Sequence, residues 1–253
     1  MATQEALQAI RSCANIRDLG GFHTPHGTTL HRRAVRCGGT RALMEQDLEA
    51  FRAYGISRVL DLRGAGESPR LTCRFARQPW VRWLNVPLYD RDISAPSLLP
   101  CDGTGNYLVS SYLNMLSAPH ELQRIMAFFA KARPDECVLF HCAAGMDRTG
   151  MVALLLLGLV DVSREDVVFD YALSFGSAEQ VRAAMGPGAP HDAVVGEEVF
   201  THSLLGMRIE AVSHVYDTVV QTHGSIRSFL GAAGISQGVL DAVRAHLLGC
   251  EGG

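Results

Sequence analysis

One stretch of ten residues carries side chains whose types and spacing could do chemistry on a phosphate group. It reads HCAAGMDRTG, from His141 to Gly150, and it places a cysteine and an arginine six positions apart. A cysteine thiolate is a nucleophile, and the planar guanidinium of Arg148 can hold two oxygens of a tetrahedral dianion. We therefore expect a loop that binds phosphate while Cys142 attacks the bound phosphorus.

Two apolar segments must position this loop. Cys137 to Phe140 is typical of a strand buried on both faces, and the segment from Met151 to Leu157 is apolar on every side. The order is strand, tight loop and buried helix, so the loop amides can converge on an anion at the positive end of the helix. The alternative, a structural cysteine with an accidental arginine spacing, does not explain this order. The predicted phosphate-binding residues are Ala143, Ala144, Gly145, Met146, Arg148 and Thr149.

The loop resembles the signature of cysteine-dependent protein tyrosine phosphatases. The segment NIRDLGG, from Asn15 to Gly21, resembles the N-terminal motif of the bacterial and fungal members, whose loop usually reads HCxxGKDRTG. The resemblance spans nearly the whole chain, and one position departs from it, because Met146 stands where the family has a lysine. Further matches are Asp61-Leu62-Arg63, the run from Asp170 to Ser174, Gly224-Ser225 and Phe229-Leu230.

The resemblance implies an α/β fold with a central, mostly parallel sheet flanked by helices, as in protein tyrosine phosphatases, with helical lid insertions. At 253 residues the chain is expected to form a single phosphatase domain over 1–253. Two segments rich in proline and glycine, 87–106 and 186–198, are predicted to be lids or mobile loops. Helices are predicted at 46–54, 107–116, 121–133, 163–173, 177–185, 207–222 and 236–248, and strands at 22–24, 28–36, 57–60 and 81–86.

Composition excludes several other classes of protein. The net charge of −3 and the isoelectric point near 6.4 give no global reason to expect nucleic acid or stable membrane association. The first ten residues lack the basic start and apolar run of a secretory signal, so the sequence predicts a cytoplasmic enzyme. Seven cysteines without paired CxxC spacing favour neither a zinc site nor a disulfide framework. No metal and no cofactor are expected.

The leaving oxygen of a phosphate ester needs a proton, and three aspartates could supply it. Asp147 is the first candidate, because the resembling family carries an acid at that position. Asp90 and Asp92 compete with it as acids on the first predicted lid. Asp147 could also form an ion pair that positions Arg148, a role compatible with proton donation.

Five more residues are candidates for support of the loop or for substrate contact. Arg17 and Asp18 match the family motif beside the active loop, although an exposed ion pair in a turn is the alternative. Asp61 and Arg63 follow a predicted strand at the sheet edge where ligands usually bind. Arg63 would anchor the loop or touch substrate, and an ordinary surface salt bridge is equally compatible with the sequence. His141 is expected to orient the loop from behind.

Three kinds of function fit these residues. The first is hydrolysis of a phosphate monoester through a cysteinyl-phosphate, on phosphotyrosine-like substrates or on a small metabolite such as a phosphorylated nucleoside or sugar. The second is phosphate binding without catalysis. The third is arsenate reduction or sulfur transfer, which would need a resolving cysteine, with Cys13, Cys37 and Cys73 as candidates. The expected partner is a phosphorylated substrate, and the oligomeric state is not indicated.

Met146 bears on the choice of substrate. A lysine at this position would attract a second phosphate or acidic residues, whereas methionine offers an apolar and adaptable surface. We therefore predict a substrate with little negative charge beyond its reacting phosphate, unless Met146 only packs against a lid.

Overall fold

The computed structural model describes residues 7, 10, 12–67, 73–88, 107–176 and 197–249, and side chains from residue 205 onward in the last range. The predicted lid acids Asp90 and Asp92, the helix predicted at 177–185, and most of both predicted lids lie outside these residues.

Seven strands are present in the described part of the chain, and five of them form one mixed sheet in the order β1-β4-β7-β5-β6. Strand β1 runs antiparallel to β4, and all other neighbours are parallel. Strands β2 and β3 form a separate hairpin. The strands are β1 (Arg17–Asp18), β2 (His23–Thr24), β3 (Gly27–Thr28), β4 (Ala34–Cys37), β5 (Ile56–Asp61), β6 (Arg82–Asn85) and β7 (Cys137–His141).

Eight α-helices are described, together with a short 3-10 helix at Arg74–Arg77. None of the helices within the described ranges is both long enough and apolar enough to cross a membrane. The helices are α1 (Glu45–Tyr54), α2 (Tyr107–Leu116), α3 (Pro119–Ala130), α4 (Asp147–Leu159), α5 (Arg164–Ala172), α6 (Glu197–His223), α7 (Ile226–Ala232) and α8 (Gln237–Leu248). The predicted α/β class with a mostly parallel central sheet is therefore confirmed.

Strand β7 lies at the centre of the sheet, and all five of its residues are buried. Because successive side chains of a strand point to opposite faces, it contributes to two apolar cores. Val138 and Phe140 pack with the larger cluster, which includes helix α4. Cys137 and Leu139 pack with the smaller cluster, which includes helix α1. The strand therefore delivers the loop that follows it to a fixed point between two packed layers.

Local signals explain several helix ends. Ser163 caps the start of α5 by accepting a hydrogen bond from the Asp166 amide at 3.1 Å. Gly55 ends α1 with a φ of 105°, a left-handed conformation that glycine adopts easily. The helix predicted at 121–133 runs instead from Pro119 to Ala130, because proline is well suited to a first helical turn.

The strand predicted at 28–36 is wrong as a single element. Arg32 lies in the middle of it with a φ of 64°, which breaks an extended chain. The Arg32 amide donates to the Asp18 carboxylate at 2.7 Å, and this bond stabilises the turn. The segment therefore divides into the end of a hairpin and strand β4.

The start predicted for the long C-terminal helix is also wrong. Helix α6 begins at Glu197, ten residues before the predicted start at Met207, and so includes the last two residues of the predicted loop 186–198. Gly206, the residue before the predicted start, lies within the helix. Glycine inside a helix costs only about 1 kcal/mol relative to alanine, so a packed helix continues through it.

Candidate active site

The loop from Cys142 to Met146 joins β7 to α4 in a tight turn around the Cys142 sulfur. The Gly145 amide donates to that sulfur at 3.2 Å. Gly145 has a φ of 73°, and a Cβ there would lie 2.6 Å from the carbonyl carbon of Cys37. Gly38 is as restricted, since its Cβ would lie 2.9 Å from the Ala144 oxygen. Glycine at these positions lets the loop fold closely against the end of β4.

The Cys142 thiol is almost fully buried, with 3% of the residue exposed. Burial alone would raise its pKa, but the Thr149 hydroxyl, the Arg148 charge and the loop amides outweigh burial and hold the pKa below its ordinary value. The buried Thr149 hydroxyl has no hydrogen bond of ordinary geometry to another described residue, and it acts on the sulfur from close by. These neighbours therefore favour the thiolate form of Cys142, which lies close to the N-terminus of helix α4.

Arg148 extends from the first turn of α4 and pairs with Glu67. Its Nη2 donates to one Glu67 oxygen at 2.9 Å, and its Nη1 donates to the other. The Gly64 amide donates to the same carboxylate at 3.0 Å, which fixes the turn that carries Glu67. The guanidinium is therefore held in one orientation beside the thiolate, with which it interacts electrostatically.

Asp147, the residue before Arg148, accepts two hydrogen bonds on a single oxygen. Tyr112 of α2 donates its hydroxyl to Oδ1, and Arg208 of α6 donates Nη1 to the same atom at 2.8 Å. The Tyr112 hydroxyl also lies 2.5 Å from the hydroxyl of Tyr171. The predicted ion pair between Asp147 and Arg148 is replaced by an ion pair with Arg208.

A buried network supports the outer side of the loop. Arg36 of β4 donates to the Gly145 carbonyl at 2.9 Å and to the Asp170 carboxylate at 2.5 Å. Arg17 donates to the other oxygen of Asp170 at 2.8 Å, and Asn15 donates to the Gly145 carbonyl at 2.8 Å. Arg17 thus reaches the loop through Asp170 and Arg36, in line with its predicted supporting role.

The charges in this network depend on one another. Burial lowers the pKa of Arg36 to about 10, and the nearby Arg17 charge acts in the same direction. Burial alone would raise the pKa of the Asp170 carboxyl, but the two guanidinium charges hold it below its ordinary value. One buried carboxylate therefore balances two cations behind the loop.

Asp18 lies in a different environment from Arg17. Its carboxylate accepts from the Gly20 amide at 2.6 Å and from the Tyr54 hydroxyl at 2.6 Å, in addition to the Arg32 amide. These bonds hold the turn between β3 and β4 against helix α1. None of these three hydrogen bonds of Asp18 reaches the loop from Cys142 to Met146.

His141, Asp61 and Arg63 lie together on the side of the sheet away from Cys142. Arg63 donates Nε and Nη2 to the two oxygens of Asp61, at 2.8 and 2.6 Å. His141 Nε2 lies 3.8 Å from Asp61 and 3.6 Å from the Cys73 sulfur, and its Nδ1 lies 3.2 Å from the Cys142 carbonyl. His141 thus contacts the loop from behind.

The same region contains a possible set of metal ligands, formed by Asp61, Cys73 and His141. Their ligand atoms lie within 4.8 Å of one another. However, both oxygens of Asp61 already bind the Arg63 guanidinium. A cation between the three residues would have to displace that charge, so the arrangement fits a buried ion pair better than a metal site.

The candidate resolving cysteines pack in a different apolar cluster from Cys142. Cys13, Cys37 and Cys73 belong to the smaller apolar cluster on one face. Cys142 belongs to the larger cluster on the other face. A disulfide between Cys142 and any of these three would require rearrangement of the loop.

A cavity of about 460 Å³ opens beside the loop. Its wall combines aromatic and aliphatic side chains of α2 with the charged pairs described above. The lining residues are Glu67, Tyr107, Leu108, Ser111, Tyr112, Met115, Asp147, Arg148 and Arg208. The cavity therefore offers apolar surface next to the arginine that can bind phosphate.

Several of these residues had no role assigned from the sequence: Arg36, Glu67, Tyr112 and Arg208. Asp170 lies in the segment from Asp170 to Ser174, which matches the family, and this match could have indicated a role for it. Glu67 and Arg208 come from elements distant in sequence and match no motif, so only the packing of those elements reveals them.

Known proteins resemble this chain in sequence. A model of the tyrosine phosphatase family matches residues 8–249. The triple specificity protein phosphatase PtpB of Mycobacterium tuberculosis is 34% identical over 160 residues, which cover 58% of this chain and 57% of that protein. A tyrosine-protein phosphatase of Nostoc commune is 33% identical over 145 residues, which cover 55% of this chain and 47% of that protein. The chain therefore matches about half the length of these relatives.

The family match extends over almost the whole chain and includes the strand, the loop and the helix that surround Cys142. The chain belongs to the tyrosine phosphatase family.

Proposed function

We propose that the protein is a cysteine-dependent phosphomonoester hydrolase that acts on phosphotyrosine-like substrates. The observation that carries this proposal is the Cys142 thiol, whose pKa is lowered by the Thr149 hydroxyl, the Arg148 guanidinium and the amides of Thr149 and Gly145. A nucleophile at the N-terminus of a helix, next to a planar cation, suits attack on a bound dianion.

The reaction has two steps. In the first, the Cys142 thiolate attacks phosphorus, a sulfur–phosphorus bond forms, and the ester oxygen leaves with a proton from Asp147. In the second, water attacks the cysteinyl-phosphate, passes a proton to Asp147, and releases phosphate and the thiolate. The loop amides and Arg148 hold the equatorial oxygens in both steps. Thr149, close to the sulfur, stabilises the thiolate as it leaves.

Glu67 restrains Arg148 while leaving part of the fork available. A guanidinium has five N–H donors, and Glu67 receives one from each terminal nitrogen. The remaining donors, including Nε, can bind two phosphate oxygens side by side. This division lets one arginine be fixed by the protein and still hold the substrate.

The character of the cavity supports an aryl phosphate over a phosphorylated sugar. Tyr107, Leu108, Tyr112 and Met115 give one wall an apolar surface suited to a ring. The two arginines that line the cavity are each paired with a carboxylate, so little charge remains to attract a second anion. A neutral nucleoside-like metabolite is the second candidate, because it presents a flat ring of similar character.

Two other functions have less support. A protein that only binds phosphate would not need a cysteine with a lowered pKa or an aspartate held by two donors, and this chain has both. Arsenate reduction or sulfur transfer needs a partner thiol, and the candidates Cys13, Cys37 and Cys73 lie in the cluster on the other face of the sheet. The cytoplasmic location and the lack of nucleic acid or membrane partners stay predictions from the sequence.

The test is turnover of p-nitrophenyl phosphate by the full chain. We expect the wild type to release phosphate, Cys142→Ser to bind inorganic phosphate without turnover, and Cys137→Ala, a change at a buried cysteine of the strand before the loop, to stay active. Burial raises the pKa of the Cys137 thiol well above its ordinary value, so we expect it to remain a neutral thiol. No turnover by the wild type, or turnover by Cys142→Ser within about tenfold of it, would overturn the proposal.

A further inference from the structure

The carboxyl group of Asp147 has two oxygens with different surroundings. Both hydrogen bonds that it accepts, from Tyr112 and from Arg208, go to Oδ1. No described residue donates to Oδ2. Asp147 also lines the cavity next to Arg148. Among the described residues, Oδ1 is therefore bound by two donors, Oδ2 receives no hydrogen bond, and the residue that carries them borders the cavity.

The two donors are themselves held in place. The Arg208 guanidinium lies over the Phe175 ring, 4.1 Å from its centroid, and 22% of its side chain is exposed. Tyr112 is 1% exposed, and its ring packs edge-on against Tyr171 at 5.9 Å. Burial, together with the nearby Tyr171 and Asp147, raises the pKa of the Tyr112 hydroxyl, so it stays a neutral donor.

These donors determine where a proton on Asp147 can be. A hydrogen atom on Oδ1 would point at the N–H of Arg208, which can only donate, and would require the Tyr112 hydroxyl to turn from donor to acceptor. This arrangement favours Oδ2 as the position of the hydrogen when Asp147 is protonated. Once that hydrogen has left, the Arg208 charge stabilises the carboxylate that remains.

We propose that Arg208 and Tyr112 are positioning residues that anchor Asp147 through Oδ1, so that Oδ2 delivers the proton to the leaving oxygen. This inference rests on the proposed function. In the first step the Oδ2–H bond breaks, the proton goes to the ester oxygen, and that oxygen keeps the electron pair of its broken bond to phosphorus. In the second step Oδ2 takes a proton from the attacking water.

The experiment compares two substrates that differ in their need for a proton. Phenyl phosphate has a poor leaving group, whereas p-nitrophenolate departs readily without help. We expect Arg208→Gln to lower kcat for phenyl phosphate by at least about tenfold and kcat for p-nitrophenyl phosphate by less than about threefold. Arg208→Lys, which keeps the charge, should recover part of the loss on phenyl phosphate.

A double variant tests whether Arg208 acts through Asp147. Asp147→Asn alone should show the same selective loss, and adding Arg208→Gln should lower kcat for phenyl phosphate little further, because the group it positions is already gone. Tyr112→Phe gives an independent measurement by removing the other donor, with a smaller selective loss expected.

Arg164→Gln is the matched control. Arg164 donates to both oxygens of Asp217 at 2.6 Å, so the change removes another ion pair of helix α6. We expect equal, small effects on the two substrates. If Arg208→Gln and Tyr112→Phe each slow both substrates equally, or if the losses from Asp147→Asn and Arg208→Gln multiply, the inference is wrong. Failure of the proposed function would look different, since the wild type itself would not turn over p-nitrophenyl phosphate.

Discussion

Replacement of Gly145 by alanine tests the geometry of the loop with a single methyl group. The residue has a φ of 73°, where a side chain costs about 1–2 kcal/mol. The added Cβ would lie 2.6 Å from backbone atoms of Cys37, which cannot rotate away, and such overpacking typically costs about 1–3 kcal/mol. Together these effects predict a loss of about 2–5 kcal/mol in the free energy of unfolding.

The same change should impair catalysis more than stability alone explains. A shifted Gly145 would move the amide that donates to the Cys142 sulfur and the carbonyl that accepts from Asn15 and Arg36. A displacement near 1 Å at a reacting centre can cost about a hundredfold in rate. We therefore expect kcat for p-nitrophenyl phosphate to fall by about that factor at a temperature where the variant is folded.

The assay combines thermal unfolding with steady-state turnover, and Gly206→Ala is the control. Gly206 lies within α6 with nothing within 4 Å of the position of a Cβ, so the same substitution should stabilise by about 0.5–1 kcal/mol. At this chain length a loss of 1 kcal/mol lowers Tm by roughly 2–4 °C. If Gly145→Ala leaves Tm within 2 °C of wild type and kcat within about threefold, the described loop conformation is not the one that works.

Three further predictions follow from individual side chains. Because the pKa of Cys142 is lowered, its alkylation by iodoacetate should be half-maximal below about pH 8.5, the value for a free thiol, and Thr149→Ala should move that midpoint upward. Asp170→Asn should destabilise by about 3–5 kcal/mol by leaving two buried cations unbalanced. The pKa of Asp170 is lower in the folded protein than in the unfolded chain, so ionised Asp170 stabilises the fold fully above its unfolded pKa. This stabilisation is lost as the pH falls through the folded pKa. In urea unfolding between pH 7 and pH 3, the free energy of unfolding should therefore fall more steeply with pH in the wild type than in the variant. Met146→Lys, compared with wild type at low salt, should shift preference from a singly phosphorylated aryl ester toward a phosphoinositide, and an unchanged preference contradicts the proposed link between this residue and substrate charge.

The sequence was informative where the chemistry depends on neighbours in the chain. The order strand, loop and helix around Cys142 could be predicted, because buried apolar runs flank a contiguous motif. Gly145 and Arg17 each lie in a short segment that matches a family motif, so the sequence alone draws attention to them. Helix α1 and strand β5 were located to within one residue because hydrophobic period and a terminal glycine mark them.

Sequence reasoning could not predict which distant side chains meet the loop. Arg208 follows Asp147 by 61 positions, and Glu67 precedes Arg148 by 81 positions. Such pairs depend on how α6 and the loop after β5 pack, and no local pattern records that packing. The separation of Cys142 from the other cysteines likewise required the sheet, because alternation along strands decides which face each residue joins.

The support of the loop by Arg17, Arg36 and Asp170 also bears on how the protein reaches its native state. These contacts join residues 153, 134 and 109 positions apart, so closing them carries a large loss of chain entropy. Contacts between distant residues form after the short-range contacts within helices. They make folding slow, and the last steps of folding join distant parts of the chain. We therefore expect the loop that holds Cys142 to be completed late, after the N-terminal strands, the centre of the sheet and α5 have come together.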